Sequence, residues 1–202
     1  MDTQTPQKEI GIYSGSFNPI HIGHLALANW LCEYTSLDEI WFLVTPQNPF
    51  KSESELMDDA FRLRLVELAI ADYPKFRASN FEFHLPRPSY TIDTLHALTE
   101  AFTDCRFHLI IGSDNWMKFP KWKDSDRLLA EYPLIIYPRK GFPVDAKAVR
   151  HPHIHLVNAP EIEISSTFIR QALSEKKDIR FFLPKEVWDL LNPNRSLDFG
   201  LK

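Results

Sequence analysis

The 202-residue sequence contains only two cysteines, Cys32 and Cys105. They stand far apart, each among apolar residues, which argues against a disulfide framework or a cysteine-ligated metal and for reduced structural thiols. No apolar run reaches the roughly 18 residues that a membrane span requires. The first residues lack the charged-then-apolar order of a secretory leader. The expectation is a cytoplasmic protein. Basic residues are not in excess: 23 Lys and Arg against 27 Asp and Glu give a formal net charge of -4. Such a chain has no basic field for nonspecific nucleic-acid binding, so local positive groups must hold any anionic ligand. Internal repeats and low-complexity tracts are missing. So are the G-x-G-x-x-G dinucleotide fingerprint and the G-x-x-x-x-G-K-[ST] phosphate loop.

What is present is an alternation of strand and helix signals. Ile10–Tyr13, Ile40–Val44, Arg106–Ile111 and Leu134–Tyr137 are short apolar runs of strand length, typical of parallel strands covered on both faces. Phe76–Ser79 and Phe81–His84 are shorter strand candidates, and His153–Val157 reads as an outer strand. Helical patterns run over His24–Tyr34, near Asp126–Ala130, and over Ser166–Ser174 and Pro184–Leu191. Two more helices are expected. One is capped by Asp58 or Asp59, with Phe61, Leu65, Leu68 and Ala69 inward. The other begins at Ser89 or Thr91, with Ile92, Leu95, Leu98 and Phe102 inward. This order predicts an α/β fold with a doubly wound, mostly parallel sheet and a small C-terminal helical extension. A single domain over residues 8–192 is expected, with tails at 1–7 and 193–202. Polar clusters recur just after strand ends, at 14–24, 45–51, 112–116 and 138–140, where an open α/β sheet places its ligand crevice.

The richest of these clusters is Ser14-Gly15-Ser16-Phe17-Asn18-Pro19-Ile20-His21-Ile22-Gly23-His24. A strand, a turn and a helix N-terminus together suit an anion, because unpaired backbone N–H groups and the helix dipole point at it. His21 and His24, three residues apart, share a helix face. Gly23 between them removes a side chain that would crowd a ligand. A histidine beside a polyphosphate should have a raised pKa, and the pair suits charge that grows on a phosphoryl group. The plainer reading is a histidine pair at an ordinary helix start. A second constellation, Ile164-Ser165-Ser166-Thr167-Phe168-Ile169-Arg170, puts three hydroxyls at a helix start and an arginine one turn on. Alone it is an ordinary serine/threonine cap. Together the two stretches suit a triphosphate gripped from two sides.

These two motifs resemble the H-x-G-H and I-S-S-T-x-I-R signatures of the nucleotidyltransferase superfamily. From about Glu9 to Asn192 the chain resembles the bacterial nicotinate-nucleotide adenylyltransferases. The likeness extends over Ser89–Leu95, Gly112–Asn115 and Leu183–Val187, and residues 89–95 with Trp116 carry the acceptor identity. The resemblance implies a Rossmann-like fold and adenylyl transfer from ATP to nicotinate mononucleotide, giving deamido-NAD and pyrophosphate without a covalent intermediate. It implies small-molecule substrates, with neither nucleic acid nor membrane as partner, and leaves assembly into a homo-oligomer open. Mg²⁺ is implied as a companion of the ATP phosphates rather than an ion held by a protein cage, and the sequence has no dense carboxylate cluster.

By the matched motifs, His21 and His24 are catalytic and contact the ATP phosphates. Ser16 and Phe17 offer backbone donors. Ser165, Ser166, Thr167 and Arg170 hold the β- and γ-phosphates, Lys51 is a further phosphate partner, and Gly112 and Asp114 lie along the ribose. Trp116 stacks on the pyridine ring, while Tyr90 and Thr91 receive its carboxylate at a helix start. No metal-ligating residue is expected. Adenylyl transfer to nicotinamide mononucleotide or phosphopantetheine is the alternative, and a non-catalytic nucleotide-binding module is a further one. Arg139 is as much a surface residue as a phosphate partner, and Trp41 and Trp122 read as core. His151, His153 and His155 alternate on one strand face without a fourth ligand, so an exposed edge is expected there. The chain departs from the family at Ser14, where a glycine is usual, and at Asn18, where an aspartate is usual.

Overall fold

A computed structural model describes residues 7–46, 56–145, 149 and 151–192. Six strands among them form one sheet in the order β3-β2-β1-β4-β5-β6: β1 (Lys8–Gly15), β2 (Glu39–Val44), β3 (Phe76–Ser79), β4 (Cys105–Gly112), β5 (Leu134–Tyr137) and β6 (Ile154–Leu156). Every pairing is parallel. Helices α1 (Ile22–Tyr34), α2 (Asp59–Ile70) and α3 (Thr91–Ala101) link the early strands. Next come a single turn α4 (Ser113–Trp116), α5 (Ser125–Glu131), α6 (Ser166–Ser174) and α7 (Lys185–Leu191).

The two faces of the sheet are written into the strands with a period of two. Tyr13, Ile40, Phe42, Val44, Ile110, Ile135 and Tyr137 point to one face and pack under α1, α2, α6 and α7. Ile10, Ile12, Trp41, Leu43, Leu109, Ile111, Leu134 and Ile136 point to the other, under α3 and α5. Each such side chain removed from water contributes about 1.5–3 kcal/mol before the entropy of ordering is subtracted. Val187 and Trp188 of α7 lie inside the first cluster, so the C-terminal helical piece closes the same core as α1 and α2. Among the described residues no helix is long and apolar enough to cross a membrane.

Two segments differ from expectation. Phe81–His84 is a 3₁₀ turn, not a strand. Its N–H groups close locally, Phe83 onto the Asn80 carbonyl at 2.9 Å and Leu85 onto that of Glu82 at 3.2 Å. Alternating Phe and charge over four residues does not separate these two outcomes. The buried face of α2 is Arg62, Leu65, Val66 and Ile70 rather than Phe61, Leu65, Leu68 and Ala69. An inward arginine rotates the face, and apolar periodicity is blind to that. Residues 113–116, within one of the polar clusters, form one helical turn directly on the end of β4.

The order of strands reverses direction between β1 and β4, and in a doubly wound sheet this is the topological switch point. The C-terminal ends are level there, with Gly15 beside Val44 and Gly112 beside Tyr137. The chain leaves these ends into the loop at 16–21, the Thr45–Pro46 turn, α4 and residues 138–140.

Candidate active site

A cleft of about 800 Å³ opens at that switch point. Its floor is Tyr13 to Phe17, with His21, Gly23 and His24 at the start of α1. One wall is Asp114, Asn115 and Tyr137 to Lys140, and the other is Pro160 to Phe168 with Arg170. The two stretches singled out in the sequence therefore face one cavity although some 140 residues separate them.

The loop entering α1 is held tightly. Phe17 takes a left-handed backbone (φ 41°), a conformation that costs a bulky residue about 1–2 kcal/mol. Its ring is 3% exposed and packs edge-on against Tyr13 and His24, with centroids 5.6 and 5.2 Å away, which offsets that cost. The buried Asn18 accepts from Met57 N–H through Oδ1 at 3.0 Å. A carboxamide oxygen thus does what an aspartate oxygen would do here. Ser14 lies in β1 opposite Leu43 in extended backbone, so this position asks nothing that only glycine supplies.

His21 is buried and stacked on His24, with ring centroids 3.7 Å apart. A Cβ at residue 23 would meet His21 Nδ1 at 3.1 Å and Cε1 at 3.2 Å. Gly23 therefore makes room for the His21 imidazole itself. Burial, helped by the charge of Arg139, pushes the His21 pKa down to about 4, so the ring is neutral in the protein alone. His21 Nδ1 is buried without a hydrogen-bond partner among the described residues. The expected upward shift beside a polyphosphate would have to work against this environment.

Tyr13 and Tyr137 meet through their hydroxyls at the base of the cleft, and burial pushes both phenols up, so they stay neutral. Arg139, left open in the sequence, faces the cleft with Nε 3.6 Å from Asp114 Oδ1. Its N–H donates to the buried Ser113 Oγ at 2.9 Å. Gly112 lies behind them. A Cβ there would overlap the Asp114 carboxylate and stand 3.0 Å from Arg139 Cγ. Lys140 is engaged by Glu163 at 2.9 Å.

The start of α6 serves the fold as well as the cleft. Ser165 caps the helix, its Oγ accepting from Phe168 N–H at 3.1 Å. Ser166 Oγ donates to the Pro19 carbonyl at 2.9 Å, and Arg170 Nη1 donates to the Asn18 carbonyl at 2.9 Å. Thr167 is exposed at the rim. The second motif thus grips the loop of the first directly.

A family description, Cytidylyltransferase-like, matches residues 12–172. The chain belongs to the cytidylyltransferase-like family. A probable nicotinate-nucleotide adenylyltransferase of Bacteroides thetaiotaomicron is 59% identical over 181 residues, covering 90% of this chain and 89% of the relative. One of Flavobacterium johnsoniae is 45% identical, covering 92% and 97%. Among solved structures, the Plasmodium falciparum nicotinic acid mononucleotide adenylyltransferase complexed with NaAD is similar, with a TM-score of 0.79 and 25% identity. That likeness covers 96% of this chain and all of the other.

Tyr90 caps α3 and Thr91 is its first residue. Because α3 runs from β3 back to β4, its start lies at the sheet edge that bears the cleft. Trp116 ends α4 and packs on Phe119, with ring centroids 5.2 Å apart. Tyr90, Thr91 and Trp116 are not part of the continuous cleft lining, and Gly112 lies beneath it. Lys51 falls outside the described residues.

Sequence reasoning did not single out Tyr13, Tyr137, Pro160–Glu163 or Arg62 for the site. Both tyrosines stand near the C-terminal ends of strands, and that position was the available signal. His151, His153 and His155 do not converge as a metal site: His153 Nδ1 pairs with the Leu129 carbonyl at 3.0 Å. Among the described residues no three His, Cys, Asp or Glu side chains could hold a metal together.

Proposed function

We propose that this chain transfers the adenylyl group of ATP to nicotinate mononucleotide, releasing pyrophosphate and deamido-NAD for NAD biosynthesis. The observation that carries this reading is the set of relatives at 45–59% identity named for that reaction, aligned over about nine-tenths of the chain. The cleft supports it, since a helix start bearing two histidines faces a second helix start bearing hydroxyls and an arginine.

In this reading the acceptor's own phosphate oxygen attacks the α-phosphate in line, so no protein nucleophile takes part. The chain contributes placement and charge stabilisation. His21 and His24 donate to the phosphates as charge builds. Ser16 and Phe17 present backbone N–H groups. Ser165, Ser166, Thr167, Arg170 and Lys51 hold the distal phosphates, and Asp114, over Gly112, meets the ribose. Tyr90 and Thr91 receive the pyridine carboxylate at the start of α3, where helix N–H groups favour an anion, and Trp116 supplies an aromatic face. Mg²⁺ accompanies ATP as part of the substrate. Among the described residues no cluster of three His, Cys, Asp or Glu side chains offers it a cage. Residues 8–192 act as one domain in the cytoplasm, which suits the free, buried Cys32 and Cys105.

Pyrophosphate release from ATP on addition of nicotinate mononucleotide tests the reading. Release with phosphopantetheine instead would replace it, and ATP binding without any release would make the chain a binding module.

A further inference from the structure

Arg62 is among the largest fully buried side chains, and it is charged. All five of its N–H donors are used. Nε donates to the Met57 carbonyl at 3.0 Å. Nη1 donates to the Ser16 carbonyl at 2.5 Å and the Thr45 carbonyl at 2.9 Å. Nη2 donates to the Pro46 carbonyl at 3.3 Å and to Asp59 Oδ1 at 2.5 Å. Burying a guanidinium is costly unless every donor is met, and here four of five partners are backbone carbonyls. Those carbonyls belong to the loop below the histidines, the turn after β2 and the residue before the Asp58 cap of α2. Few side chains other than a planar fork reach them at once; a lysine has three donors on one atom.

The network continues outward. The second oxygen of Asp59 pairs with Arg87 Nη2 at 3.1 Å. Arg87 stands two residues before Ser89, in the segment that leads to Tyr90 and the start of α3. A chain of contacts, buried at Arg62 and half-exposed at Arg87, therefore runs from Ser16, under the phosphate end of the cleft, to the segment that would carry the acceptor.

We infer that Arg62 is a positioning residue which, through Asp59 and Arg87, sets the phosphate loop and the start of α3 in one frame. It touches no reacting atom. Its effect is to fix where the backbone donors of residues 16–18 stand relative to those of residues 90–91. For what the two ends hold, the inference rests on the proposed reaction. The frame itself does not depend on it.

The test uses the full chain with Arg62→Lys, Asp59→Asn and Arg87→Gln, read by steady-state kinetics and amide hydrogen exchange. Arg62→Lys keeps the charge and loses the fork, so kcat should fall about tenfold or more. Exchange should quicken at both 16–18 and 89–91. Arg87→Gln, at a half-exposed position, should leave the ATP KM within about twofold and raise the acceptor KM about two- to fivefold, the scale of an exposed ion pair. Asp59→Asn should show both effects. If Arg62→Lys fails to fold, the other two variants decide by the same readouts. A folded Arg62→Lys with wild-type kcat overturns the inference. So does faster exchange confined to one of the two segments, or an unchanged acceptor KM in Arg87→Gln. Should the wild type transfer no AMP to nicotinate mononucleotide, the proposed reaction falls. Exchange in the two segments needs no ligand and still decides the frame.

Discussion

The rings of His21 and His24 lie face to face, 3.7 Å between centroids and 22° between planes. The His21 main-chain N–H donates to His24 Nδ1 at 3.3 Å. That bond requires Nδ1 of His24 to be bare, so Nε2 carries the proton and can donate to a phosphate. The backbone thereby chooses the tautomer. His24→Ala should cut kcat by roughly 10²–10³-fold, the usual loss for a donor aimed at developing charge. The acceptor KM should stay within a few-fold. Near-normal turnover would remove His24 from the mechanism.

The buried His21 should make nucleotide binding pH-dependent. Its pKa of about 4 lies below the ordinary 6.5. Below pH 6.5 the unfolded chain takes up the proton first, so this residue's contribution to stability is lost as pH falls from 6.5 towards 4. A polyphosphate next to it favours the charged ring and opposes that shift. Binding of an ATP analogue near pH 5.5 should therefore take up protons. Calorimetry in two buffers of different ionisation heat measures this, and His21→Asn should abolish most of the uptake. Equal uptake in both proteins would assign the proton elsewhere.

Glu82 gives the opposite dependence. It is buried in the 3₁₀ turn before α3, accepts from Thr94 Oγ1 at 3.0 Å, and burial pushes its pKa up to about 7. Below pH 4.5 the carboxyl is protonated in both folded and unfolded chains, and its contribution is complete. Between 4.5 and 7 the unfolded chain releases the proton while the folded one keeps it, so stability falls as pH rises. The loss is on the order of 3 kcal/mol. Glu82→Gln should flatten this part of a urea-denaturation profile, leaving the variant more stable than wild type at pH 8. Parallel profiles would show that Glu82 does not titrate there.

Gly112 is the tightest point behind the cleft. A methyl group there presses on Asp114 and Arg139 together. Gly112→Ala should lower kcat/KM for ATP by about tenfold or more, because small displacements of positioned groups are costly. Gly23→Ala should act differently, through the His21 ring, and depress kcat more than it raises the ATP KM. Unchanged kinetics in both variants would mean that the cleft relaxes freely.

Acid and amide acceptors should be told apart. Backbone N–H donors at the start of α3 suit a carboxylate, and an amide brings donors of its own to face them. A preference of at least about 10²-fold in kcat/KM for nicotinate over nicotinamide mononucleotide is expected. Equal turnover would dismiss Tyr90 and Thr91 as the carboxylate site.

By itself the sequence determined the alternation of strands and helices, both faces of the sheet, and the polar stretches at strand ends. These follow from local periodicity and caps, which a linear chain carries in full. It also displayed the two stretches that face each other across the cleft, because each is contiguous. Tertiary structure alone decided how they meet: Ser166 and Arg170 grip the carbonyls of Pro19 and Asn18, and Gly23 leaves the His21 imidazole its space. It alone turned Arg62 inward. Hydropathy puts an arginine at the surface, and only four backbone carbonyls and an aspartate, brought together from Ser16, Thr45, Pro46, Met57 and Asp59, make its burial favourable.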